Sequence, residues 1–152
     1  MLMLLDIDGV MVTTPPWRKA ELLADGFSDF NETSVNSLNR ILSETNAGII
    51  ITSSHKSRFA VSEWITIFKT RGINPITLET LTPNIFHLSR RGEILHWISL
   101  GNENKQFVII DDDKSLNDLP GHLKNKCVMT DSLIGLDQAG AANAVSILKS
   151  SN

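Results

Sequence analysis

The sequence predicts an α/β fold in three layers, with a parallel sheet of about five strands and helices on both faces. Three observations predict it. Short apolar runs such as LMLL (2–5), IIIT (49–52) and FVII (107–110) lack polar alternation, as strands buried on both faces do. Stretches with apolar residues at helical spacing separate these runs. Gly and Pro punctuate the boundaries. The 152 residues read as one domain, 1–152, with enough chain for a sizeable core.

The elements follow in order. Leu2 to Leu5 is the first strand, ended by Asp6 and a turn at Gly9. The stretch VMVTTPPWRKAELLADGFSDF, with Pro15, Pro16 and Gly26, reads as a loop excursion. From Thr33 to Asn46, Val35, Leu38, Ile41 and Leu42 give a helical stripe, with Asn31 or Thr33 as cap. Ile49 to Thr52 is the second strand. A helix follows with Val61, Trp64, Ile65 and Phe68 inward and Gly72 as its stop. INPITL is the expected third strand, although Pro75 weakens it. RGEILHWISLG is a helix with Ile94, Leu95 and Ile98 inward. QFVII and KCVMT are the fourth and fifth strands, and a helix from about Asp137 to Leu148 closes the chain.

Composition narrows the function. A net charge of −3 and a pI of about 5.7 give no general pull toward nucleic acid, which leaves only a local basic patch for that role. The lone cysteine, Cys127, forms no internal disulfide and implies no disulfide-linked partner. A reducing compartment fits, and no apolar run approaches the length of a membrane span. The N-terminal run is short for a signal peptide and lacks a basic start, so the expected location is cytoplasmic.

Right-handed crossovers place the carboxyl ends of all strands on one edge. That edge collects Asp6 and Asp8, Thr52 and Ser53, Asp111 to Asp113, and Thr130 and Asp131. Two carboxylates at the end of a buried strand gain nothing structurally, because burial and like charge penalise both. Carboxylates from two strands make a hard, all-oxygen site of the kind Mg²⁺ prefers, together with a substrate phosphate. The Thr52 hydroxyl suits phosphoryl oxygens, and Arg90 and Arg91, at a helix start, supply positive charge.

The segments LLDIDGV, IIITSS, RRGEIL and FVIIDDD, in this order, resemble the four motifs of the haloacid-dehalogenase-like (HAD) hydrolases. The resemblance runs from about residue 2 to 131. RGEILHWI, FVIIDDD and the tail VMTDSLIGL are similar to the HAD domains of Swiss-army-knife RNA repair proteins. It implies a Rossmann-like sheet and a Mg²⁺-dependent phosphatase working through an aspartyl-phosphate. Asp6 would be the nucleophile. Asp8 would be general acid and then general base, with its backbone carbonyl on the metal. Thr52 would donate to a phosphoryl oxygen, with Ser53 beside it. Asp112 would be the metal ligand of the fourth motif, and Asp111 its support. Arg91 would be the cation of the third motif, commonly a lysine, with Arg90 in reserve.

Other residues have plainer readings. His55 and Lys56 are expected as a solvated helix start, with substrate contact as the alternative. Trp17, beside Pro15 and Pro16, either contacts substrate or packs within its loop. Cys127 reads as a small buried hydrophobe. Two other classes compete. FVIIDDD also opens response-regulator receiver domains, but only 39 residues follow Asp113. A catalytically inactive HAD fold used as a binding module is the third, against which the intact acids argue. Both gaps between the motifs hold only sheet-covering elements, so no cap domain is expected. An open site of this kind suits bulky phosphate esters: polynucleotide ends, with nucleotides or phosphoproteins as alternatives.

Overall fold

A computed structural model describes residues 1–13, 15, 17 and 21–150. Five strands form one parallel sheet: β1 (Leu2–Leu5), β2 (Gly48–Ile51), β3 (Leu78–Thr80), β4 (Phe107–Asp111) and β5 (Cys127–Met129). Their spatial order is β3-β2-β1-β4-β5. The chain therefore builds outward from β1 in one direction and then returns to build in the other. The switch lies between β1 and β4, where open α/β sheets hold their sites.

Period-two geometry divides the strand residues between two cores. Met3, Leu5, Ile49, Ile51, Val108 and Ile110 pack on one face, against α1 (Glu32–Thr45), α2 (Val61–Thr70) and α5 (Gln138–Lys149). Leu4, Ile50, Phe107 and Ile109 pack on the other, against α3 (Arg90–Trp97), a 3₁₀ turn at Lys114–Asp118 and α4 (Gly121–Lys124). These are the three layers that the alternation of elements predicted. The caps are local: the Asn31 side chain accepts from Thr33 N, Ser89 from Gly92 N, and Asp137 from Gly140 N.

Four details differ from the sequence reading. The third strand lies later, at Leu78–Thr80, so Pro75 falls outside it. In α2 the buried face is Trp64, Ile67 and Phe68, while Val61 and Ile65 are exposed. In α3, Ile94 and Trp97 are buried, and Leu95 and Ile98 only partly so. The excursion after β1 also contributes to the core. Phe27 and Phe30 join Phe59, Trp64 and Phe68 in a run of edge-to-face contacts. Arg71, itself buried, ties this loop down by ion-pairing with Asp25 at 2.7 Å and donating to the carbonyls of Phe27 and Ser28. Pro16, part of the expected loop around Trp17, lies outside the described residues.

Candidate active site

Register sets the site. Leu5 is level with Ile51 on one side and Ile110 on the other. One step further brings Asp6 level with Thr52 and Asp111. All three lie two residues beyond Leu4, Ile50 and Ile109, which face the α3 layer. Their side chains therefore meet the first turn of α3.

Arg90 is the residue that α3 presents there. Its Nη1 lies 2.6 Å from Asp111 Oδ2, 3.3 Å from Asp6 Oδ1 and 3.4 Å from Thr52 Oγ1. Burial works against its charge, but Asp111 and Asp6 outweigh that and raise its pKa. Arg91 points elsewhere: its Nε donates to the Asp118 carbonyl at 3.1 Å and its backbone N–H to Ser115 Oγ. This corrects the expectation that Arg91 supplies the cation. Adjacent residues on a helix point about 100° apart, so only one of the pair can face the sheet.

Carboxylate oxygens of Asp6, Asp111 and Asp112 lie within 4.8 Å of one another. Asp111 is fully buried, and its other oxygen accepts from Asp113 N at 3.0 Å. Asp6 is nearly buried. Burial first, and then the Asp111 charge, push its carboxyl up to about 8, against the pull of Arg90. Burial likewise raises Asp112. Such crowding is what a bound cation relieves, and the all-oxygen donor set suits Mg²⁺. Gly9 makes room for the Asp112 carboxylate. A Cβ there would overlap the Asp112 carboxylate, and its φ of +80° disfavours other residues.

Asp8 stands outside the trio, with its side chain 60% exposed. Its Oδ2 lies 2.8 Å from His55 Nε2. Thr52 and Ser53 are fully buried, and Ser53 Oγ accepts from His55 N. Asp113 caps the 3₁₀ turn through Ser115 N. Thr130 donates to the Gly9 carbonyl at 2.7 Å and so steadies the turn after β1. The side chain of Trp17 is 82% exposed. An apolar groove of about 460 Å³ between β3, its following loop and α3 meets this charged network only at Glu93.

A family model described as the HAD domain in Swiss Army Knife RNA repair proteins matches residues 2–141. The chain belongs to that family. Among curated proteins, none matches it. The HAD domain also carries features the sequence reading missed. Lys56 is 4% exposed, not solvated, and its Nζ ion-pairs with Glu93 Oε2 at 2.7 Å. Glu93 in turn lies beside Arg90, at 3.7 Å from Nε. The signal was available in the spacing, because Glu93 falls at i+3 from Arg90 on one helical face. Among the described residues, no helix is long and apolar enough to cross a membrane.

Proposed function

We propose that this HAD domain is a Mg²⁺-dependent phosphomonoester hydrolase that works through an aspartyl-phosphate on Asp6. The observation that carries the reading is the convergence of Asp6, Asp111, Asp112, Thr52 and Arg90 at the switch point, with Asp8 just outside. Asp6, Asp112 and the Asp8 carbonyl would hold Mg²⁺, with Asp111 in support. The ion would neutralise the acids and the phosphoryl oxygens.

In the first step an Asp6 oxygen bonds to phosphorus while the bond to the leaving oxygen breaks. Asp8 gives that oxygen its proton. Thr52 and Arg90 donate to the phosphoryl oxygens, and Ser53 shapes the turn beside them. In the second step water gives a proton back to Asp8 and attacks phosphorus. The bond to Asp6 breaks, and inorganic phosphate leaves. Arg90, not Arg91, takes the cationic role here.

For substrate we propose polynucleotide ends. The family's association with RNA repair supports this, as does the content of the two gaps between motifs. Among the described residues those gaps hold the loop after β1 and α1, then α2, β3 and a loop, all packed on the sheet or leading to it. The test begins with 4-nitrophenyl phosphate and Mg²⁺. Chelator should abolish turnover, and Ca²⁺ should not restore it. Full turnover in chelator refutes the metal role. Catalytic efficiency is then compared on a mononucleotide and on a matching end-phosphorylated oligonucleotide. The oligonucleotide should win, with an advantage that falls as salt rises. A preference for the mononucleotide refutes the substrate.

A further inference from the structure

We infer that His55 is a positioning residue for Asp8. It holds one carboxylate oxygen so that the other faces the leaving group. The inference rests on the phosphatase reading and adds a residue to it.

The geometry begins with exposure. The side chain of Asp8 is 60% exposed, whereas Asp6 and Asp111 are held by burial and by Arg90. A carboxylate on the surface moves among rotamers unless something fixes it. His55 Nε2 lies 2.8 Å from Oδ2, and with its proton on Nε2 the ring donates to that oxygen whether Asp8 is ionised or holds its proton on Oδ1. Among the described residues, no hydrogen bond reaches Asp8 Oδ1. That oxygen is left to carry the proton that the leaving oxygen takes and that water later returns.

An exposed His–Asp pair is ordinarily worth little, because both partners wander. Here the donor is anchored. The His55 ring stands edge-to-face on Phe27, centroids 5.7 Å apart, and Phe27 is buried in the aromatic cluster. The Phe27 backbone is fixed in turn, its N–H by Asp25 Oδ1 and its carbonyl by Arg71. The His55 backbone is tied at both ends: its N–H donates to Ser53 Oγ, and its carbonyl accepts from Arg58 N. The imidazole therefore enters from a rigid base, and the mobile partner is Asp8. Fixing the mobile group in a reactive geometry is how a residue one step removed from the chemistry raises rate.

A held acid matters most when the leaving group needs a proton. Benzyl phosphate releases an alkoxide-like oxygen and needs one; 4-nitrophenyl phosphate releases a stable phenolate and does not. The measurement is kcat/KM for both esters with wild type, His55→Ala and His55→Gln. This parameter covers steps through transfer to Asp6 and excludes the later hydrolysis. His55→Ala should lose about tenfold or more on benzyl phosphate and about twofold or less on 4-nitrophenyl phosphate. His55→Gln, which places an amide N–H near the Nε2 position, should recover most of the benzyl activity. Equal losses on both esters, no loss on either, or no recovery with Gln overturns the positioning role. A wild type that hydrolyses neither ester refutes the phosphatase reading, and the role of His55 falls with it.

Discussion

Replacing Asp6 with Asn should make the metal-free HAD domain more stable, by an amount that grows with pH. In the fold, burial and the neighbouring Asp111 push the Asp6 carboxyl from 3.8 to about 8. The raised value means that the fold favours the protonated form. Its stabilising contribution is complete below about pH 4 and is lost as the pH climbs through about 8. Each pH unit crossed in that window costs about 1.4 kcal/mol, so at pH 7 the ceiling is roughly 4 kcal/mol. Water entry and small relaxations reduce such ceilings, and roughly 2 kcal/mol is the expected gain at pH 7 for Asn, which stays neutral. At this chain length that corresponds to roughly 4–8 °C in Tm.

The assay is thermal or urea unfolding of both proteins in chelator, at pH 4.5 and pH 7. The gap should nearly close at pH 4.5, where Asp6 is protonated in the folded wild type. Adding Mg²⁺ at pH 7 should then stabilise the wild type through binding, and the Asn variant less. An Asn variant less stable than wild type at pH 7, or a gap that does not change with pH, refutes the reasoning.

The remaining substitutions follow from single contacts. Arg90→Ala should cost about 10²- to 10³-fold in turnover, the scale for losing a donor to developing charge. Arg91→Ala should cost only a few-fold, because Arg91 donates to the Asp118 carbonyl and not to the acids; the reverse ranking in a kinetic assay would return the role to Arg91. Gly9→Ala should destabilise by about 1–2 kcal/mol through its left-handed backbone. It should also remove most of the Mg²⁺-dependent rise in Tm, since the new Cβ displaces Asp112; an undiminished rise counts against Asp112 as a ligand. Lys56→Ala leaves the largely enclosed Glu93 carboxylate with only the longer contact to Arg90 and should cost about 1–3 kcal/mol in urea unfolding. A double change to Lys56→Met and Glu93→Leu should recover most of that loss.

The sheet and its acids were legible because both rest on the simplest periodicity. Apolar runs gave β1, β2 and β4 almost to the residue. The same period of two puts Asp6, Thr52 and Asp111 on one face, two steps past Leu4, Ile50 and Ile109. The choice between Arg90 and Arg91 was harder, because α3 offers two apolar stripes. One runs from Arg90 through Ile94 to Trp97, the other from Arg91 through Leu95 to Ile98. Ile94, Leu95 and Ile98, all expected inward, draw on both stripes and so do not choose between the arginines; the deeper burial of Ile94 and Trp97 selects Arg90. Trp97 was the deciding residue. The places of His55 and Lys56 depend on a tight turn after β2, and that of Phe27 on the Arg71 clamp. The turn is local but carries no glycine or proline to mark it, and the clamp joins segments more than forty residues apart, which no local pattern encodes.

On the proposed reading Arg90 stands where the third motif commonly holds a lysine, and its contacts suit an arginine acting through one nitrogen. All three contacts with the acids and Thr52 run through one nitrogen, Nη1. The fork that normally distinguishes arginine is not used on them. The opposite side of the guanidinium faces Glu93, whose Oε1 is 3.7 Å from Nε, beyond a hydrogen bond, while its Oε2 is held by Lys56. Arg90 thus acts as a point charge toward Asp6 and Asp111, and Glu93 steers it from behind. Arg90→Lys should therefore keep most of the function, within about tenfold of wild type, while Arg90→Ala loses about 10²- to 10³-fold. The comparison is made by kcat/KM on 4-nitrophenyl phosphate at saturating Mg²⁺. If the lysine variant is as impaired as the alanine variant, the guanidinium fork grips the phosphoryl group in the transition state, and the single-nitrogen account is wrong.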